Sequence, residues 1–135
     1  LVYLGDNNEV NAGSRTYVAY CFADTEGFFK SGSYVGNGNV DGTFVYTGFK
    51  PSMIFVKLVA SAGDWWVEDT TRDTYNPATK YIPLNDSSAE ASGINIDFLS
   101  NGFKLRTTSG DFNSSGATIV YGAWSTNPFQ YATAR

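Results

Sequence analysis

The 135-residue sequence contains no histidine. That removes the commonest general base and the commonest metal ligand together, so a binding or structural role starts ahead of catalysis. There is one cysteine, Cys21, and hence no intrachain disulfide. A reactive thiol wants a basic or histidine neighbour, and none is near in sequence. Cys21, within Tyr17-Val18-Ala19-Tyr20-Cys21-Phe22, therefore reads as a small buried hydrophobe on a strand. Charge is scarce, at 16% of residues where about a quarter is usual. Nine basic and 13 acidic residues leave a net charge of -4. The basic residues are scattered, which excludes the positive footprint of a nucleic-acid binder and disfavours anionic membranes. No apolar run approaches the roughly 18 residues of a membrane-spanning helix. No basic stretch followed by an apolar one opens the chain, so no signal peptide is expected. Leu1 stands where an initial Met would, and the chain is expected to be a piece of a longer polypeptide.

Aromatic side chains, by contrast, are abundant: 10 Phe, 9 Tyr and 3 Trp, 16% of the sequence. A core of this size does not need them all, so some rings are expected at a surface or an interface. They fall in period-2 segments punctuated by Gly and Asn, the pattern of β-strands. The segments are Tyr17 to Phe22, Phe44 to Phe49, Met53 to Val59, Asp64 to Asp69, Ile94 to Leu99, Phe103 to Thr107 and Ala117 to Trp124. Short turns and no amphipathic helix imply an all-β, antiparallel sandwich of jelly-roll type. The length fits one domain, residues 17–135, preceded by a lead-in or linker segment, 1–16.

The connections follow from turn chemistry. The Gly-rich stretch Ser31 to Gly42 reads as a long loop or two tight turns. Thr70 to Lys80, with Asn76-Pro77, reads as a connection. Ser87 to Glu90 has the spacing of a capping box, but Gly93 limits it to one helical turn. The clearest local signal is Asn101-Gly102, expected to form a type I′ hairpin turn with positive φ and with Ser100 facing Phe103. Phe98, Phe103 and Leu105 then share one face.

Four candidate sites arise. Asn37-x-Asn39-x-Asp41-Gly42 matches the first half of a calcium loop, but Gly48 stands where the bidentate carboxylate belongs. A Gly/Asn turn is the plainer reading, and no metal or other cofactor is expected. Trp65 and Trp66 are neighbours on a strand and must point to opposite faces. Asp64, Trp66 and Glu68 share a face, so a Trp flanked by carboxylates offers a sugar platform. A structural or interface Trp is the competing reading. Asp69 and Arg72 are expected to form a bidentate pair that fixes a turn. A glycosidase would need two carboxylates facing across a cleft. Glu68 with Asp97, or Asp64 with Asp111, are conceivable pairs that nothing in the spacing selects, and no Gly-x-Ser-x-Gly elbow occurs.

Several strings taken together resemble one family. These are Tyr17 to Phe22, Gly32 to Gly38, Phe44 to Pro51, Trp65 to Arg72, Leu99 to Arg106 and Asn127-Pro128-Phe129. They resemble a poorly characterised domain of tail-fibre-like and other virion proteins of bacteriophages, marine ones in particular. The resemblance runs from about Tyr17 to Arg135 and is weaker over residues 1–16. Many relatives carry Trp-His after the Cys, where this chain has Phe22-Ala23. The family has no established catalytic set, so the resemblance supplies no active site. It implies a virion location and a non-enzymatic fibre or appendage module. Its partners would be other virion chains, further copies of itself, with a trimer as the arrangement fibres suggest, and a glycan on the host surface. A purely structural virion module is the alternative, and a polysaccharide depolymerase is a third reading.

Overall fold

The computed structural model describes residues 2–126. It is all-β and antiparallel, with 40% of residues in strands and 6% in helix. Among the described residues eight strands are formed: β1 Phe29–Val35, β2 Phe44–Tyr46, β3 Pro51–Leu58, β4 Trp66–Asp69, β5 Ala78–Pro83, β6 Ala91–Leu99, β7 Gly102–Leu105 and β8 Thr118–Ser125. Two four-residue helices, α1 Asn8–Asn11 and α2 Gly110–Asn113, accompany them. The strands make one sheet in the order β1-β8-β3-β4-β5-β6-β7-β2. The first strand pairs with the last and the second with the seventh, as nested pairs. The five strands from β3 to β7 run as a meander.

The sheet curls until it nearly closes. Tyr34 of β1 and Phe103 of β7 lie almost at opposite ends of the strand order, yet their rings meet at 6.0 Å, and Phe103 meets Tyr121 of β8 at 5.5 Å. The two layers expected of a sandwich are thus opposed walls of one coiled sheet. One face of each strand lines the interior, where Ile54, Val56, Ile96, Phe103, Leu105, Phe112 and Ile119 are fully or almost fully buried. Each such side chain contributes on the order of 1.5–3 kcal/mol by leaving water. Phe98 and Leu105 share that interior with Phe103, as their alternation predicts.

The seam lies between the edge strands β1 and β2. It is bridged at one end, where the Thr43 hydroxyl donates to the Val35 carbonyl at 2.7 Å. At the other end it opens into a cavity of about 360 Å³ lined by residues of the 24–30 and 46–49 segments.

Several local expectations are corrected. Tyr17 to Phe22 has the alternation of a strand but pairs with no strand among the described residues, because the sheet begins only at Phe29. Cys21 is accordingly exposed, not buried. Ser31 to Gly42 is not all loop. Its first part belongs to β1, and Gly32 is there because a Cβ would sit 3.1 Å from the Tyr121 ring, a packing demand that looks like turn chemistry in sequence. Ser87 to Glu90 forms no helical turn, and the chain there is irregular. β5 begins inside the expected 70–80 connection. Asn76 substitutes for a strand residue just before it, its side-chain amide exchanging two hydrogen bonds with Phe98 backbone at 3.0 and 2.9 Å.

The β6–β7 hairpin is present, one residue out of the expected register. Leu99 pairs with Gly102 and Phe98 with Phe103, so the two turn residues are Ser100 and Asn101. Neither Asn101 nor Gly102 has positive φ. Gly102 is required for a different reason: a Cβ on it would collide with the Val45 carbonyl oxygen of β2.

Candidate functional site

Trp65 and Trp66 do point to opposite sides, and they meet different fates. Trp66 turns inward, its ring 5.1 Å from Tyr81 edge-on and 6.2 Å from Phe112 in a stack. Glu68, two residues on, shares that inward face and is fully buried. Neither carboxyl oxygen of Glu68 nor the Trp66 indole N–H has a hydrogen-bond partner among the described residues. Burial pushes the Glu68 carboxyl up to about 9, with the negative charges of Asp73 and Asp69 adding to the effect. Glu68 is therefore neutral at pH 7. A sugar platform of Asp64, Trp66 and Glu68 does not form, since Glu68 is fully buried and Trp66, partly buried, packs its ring against the core. Nor does Glu68 face Asp97 across a cleft: Glu68 points inward, whereas Asp97 alternates with the buried Ile96 and Phe98 and lies on the other face of β6, where Arg106 Nε donates to it at 2.6 Å.

Trp65 turns outward and ends a row of rings on the outer surface. Phe29 of β1 packs on Trp124 of β8 at 4.8 Å, Trp124 on Phe55 of β3 at 5.5 Å, and Phe55 on Trp65 at 5.5 Å. Phe22 closes the other end, 5.3 Å from both Phe29 and Trp124. The row arises from cross-strand register. Phe29 pairs with Trp124 and Trp124 with Met53, and Phe55 follows Met53 on the same side of β3. Sequence reading missed it, as the rings come from separate segments.

Trp65 is 38% exposed, but its backbone is fixed. Its N–H donates to Asn85 Oδ1 at 2.8 Å and its carbonyl accepts from the Leu84 N–H at 2.8 Å. The Asn85 amide in turn donates to Asp64 Oδ1 at 2.8 Å. A partly exposed indole thus stands beside a carboxylate and an amide whose positions are set by each other. Stacking surface with adjacent hydrogen-bonding groups suits a polyhydroxylated ring.

The Asn37–Asp41 segment is a turn built on side-chain amides. Asn37 Oδ1 accepts from the Asn39 N–H, Asn39 Oδ1 from the Asp41 N–H, and the Asn37 amide donates to the Asp41 carbonyl. The fully buried Asn113 of α2 locks it, accepting from the Asn37 N–H at 2.9 Å and donating to the Asn39 carbonyl at 2.9 Å. Asp41 Oδ1 is engaged by Lys104 at 2.8 Å and Arg106 at 3.1 Å, and the Lys104 bond is the leading cause of its lowered pKa. Asn37 Oδ1, Asn39 Oδ1 and Asp41 Oδ1 are thus each engaged by groups of the chain itself. Among the described residues no group of three or more acidic, Cys or His side chains is placed to hold a metal ion.

The Asp69–Arg72 pair is present through a single contact, Nε to Oδ2 at 2.8 Å. Asp69 Oδ1 accepts instead from the Thr71 and Arg72 N–H groups. No helix among the described residues is long and apolar enough to cross a membrane. The Asn127-Pro128-Phe129 motif lies outside the described residues.

These features define an all-β domain with a recessed acid inside and an aromatic row outside. The chain belongs to the family described as a domain of unknown function, DUF7483, which matches residues 1–128. No curated protein and no solved structure matches it.

Proposed function

We propose that this chain is a non-enzymatic module of a bacteriophage virion appendage of the tail-fibre kind, and that its Trp65 corner takes a sugar ring of a host-surface glycan. The observation that carries the reading is the pinned, partly exposed Trp65 beside Asp64 and Asn85. Ring stacking supplies affinity, and the carboxylate and amide accept and donate to hydroxyls. The low charge and the resemblance to virion proteins support the same role. A glycan-array screen of the domain, followed by titration of any hit, tests it. Trp65→Ala should abolish binding and leave the circular dichroism unchanged, whereas silence across the array, or binding unaffected by the change, overturns the reading.

A second reading, a purely structural virion module that binds only other virion chains, is favoured by a separate observation. The segment before β1 exposes Tyr3, Val18 and Tyr20 to solvent, surface that suits burial against another protein. Stable self-association with no glycan bound would select it. Localisation in the virion, by either reading, is testable by mass spectrometry of purified particles.

A further inference from the structure

The strand-like segment Tyr17 to Phe22 has no strand partner among the described residues, and the edge of β1 next to it is left open by them. We infer that the Tyr17–Cys21 segment of one copy pairs with the β1 edge of a second copy, so that two copies exchange arms. This goes beyond the glycan reading and does not rest on it.

The geometry at the base of the arm separates it from its own edge. An antiparallel pairing begins at Thr25 and Phe29, which exchange both backbone hydrogen bonds at 2.9 and 3.0 Å. It stops one step later. Asp24 Oδ1 accepts from both the N–H and the hydroxyl of Ser31, and Asp24 Oδ2 takes the Lys30 ammonium at 2.6 Å. With its side chain occupying that place, Asp24 turns the backbone away. Phe22 then anchors the arm over the outer face, on Phe29 and Trp124.

Among the described residues the rest of the edge stays open. Phe29 directs its N–H and C=O to Thr25, and the alternation of an antiparallel ladder sends those of Ser33 to the same side. Ser31, Gly32, Ser33 and Val35 are all exposed. None is charged and none is Pro, so the usual guards against strand addition are missing from this stretch.

The arm matches what the edge lacks. Val18 and Tyr20 lie on one side of an extended chain, 76% and 83% exposed, and Ala19 and Cys21 on the other. With Val18 and Tyr20 toward the seam between β1 and β2, Ala19 and Cys21 share the outer face with Ser31, Ser33 and Val35. Taking up on the second copy the antiparallel register that Thr25 and Phe29 begin, the arm sets Cys21 opposite Ser33 and Ala19 opposite Val35. Phe22 stays on its own copy as the pivot. A buried Tyr covers on the order of 150 Å². With Val18 and the edge surface beneath them, two exchanged arms reach the roughly 1,000 Å² of a specific interface.

The test is Ser33→Cys in the full chain, oxidised under mild conditions and mapped by peptide mass, beside a native mass measurement of the unaltered chain. The expected results are a dimer in solution and a disulfide joining Cys21 of one copy to position 33 of the other. Paired strands hold opposed Cα atoms about 5.5 Å apart, within disulfide range. Tyr20→Asp, at a position largely exposed in its own chain, should weaken the dimer at least tenfold without shifting the melting temperature of the monomer. A disulfide between the same two positions within one chain would mean the arm closes its own edge and would overturn the inference. So would a mass that stays monomeric at every concentration, or a dimer indifferent to Tyr20→Asp.

Discussion

Glu68 makes the stability of this barrel fall, not rise, as the solution leaves the acid range. Its carboxyl is held neutral by burial, raised from its ordinary 4.5 to about 9. In the unfolded chain it ionises near 4.5, so between those values the folded state binds more protons than the unfolded one. Stability therefore falls as pH rises across that window and is flat on either side. Each pH unit is worth about 1.4 kcal/mol, so roughly 3 kcal/mol is lost by pH 7 and on the order of 6 kcal/mol by pH 9. Against a total of about 5–15 kcal/mol for a domain, that is a large share. The carboxylates with lowered pKa, Asp24, Asp41, Asp73 and Asp86, act oppositely, but only as pH falls below about 4. The buried Tyr34 hydroxyl is raised by desolvation and adds to the loss only at more alkaline pH.

Glu68→Gln removes the titration and keeps the shape. The variant should be more stable than the unaltered chain by about 3 kcal/mol at pH 7, and indistinguishable from it at pH 4. Urea unfolding at pH 4, 5.5, 7 and 8.5, with both proteins, reads this directly. If the two profiles run parallel from pH 5 to 8.5, Glu68 is ionised in the folded state and its assignment to the dry interior is wrong. A variant less stable at every pH would mean that the neutral acid makes a hydrogen bond that the amide cannot replace.

Two further outcomes are expected. Gly102→Val should destabilise the domain by on the order of 2–3 kcal/mol, because its side chain would collide with the Val45 carbonyl and force β2 from β7; thermal melting checks this, and an unchanged midpoint would mean the edge strand yields freely. Cys21 should react with a thiol reagent about as fast as in urea where the chain is diluted to the monomer, since its segment is exposed there, and more slowly where the dimer forms; strong protection in the monomer would place the arm under cover of its own chain.

What is legible in the sequence, and what is hidden there, divides along one physical line. Alternation reports whether a segment can form a strand, and β3, β4, β6, β7 and β8 are readable because their alternation is also consummated by pairing. Tyr17 to Phe22 has equally good alternation, but pairing is a property of two segments, and the described part of its own chain offers it no partner. The converse error has the same root. β1 is hidden because Gly32 and its serines look like turn chemistry, when Gly32 is dictated by the Tyr121 ring far along the chain. The hairpin is placed because Asn101-Gly102 marks a corner; its register slips by one because Gly102 answers to Val45 across the sheet and not to its own φ. The candidate site divides likewise. That one of two adjacent tryptophans must face outward follows from the pleat alone. Which one does so depends on whether the interior lies on the side of Glu68. A carboxylate is the residue that sequence logic assigns to solvent, so the parity is counted from the wrong reference. Once Glu68 is placed inside, Trp66 follows it and Trp65 is what remains on the surface; Asp64, ahead of β4, joins it through Asn85 and not through the alternation.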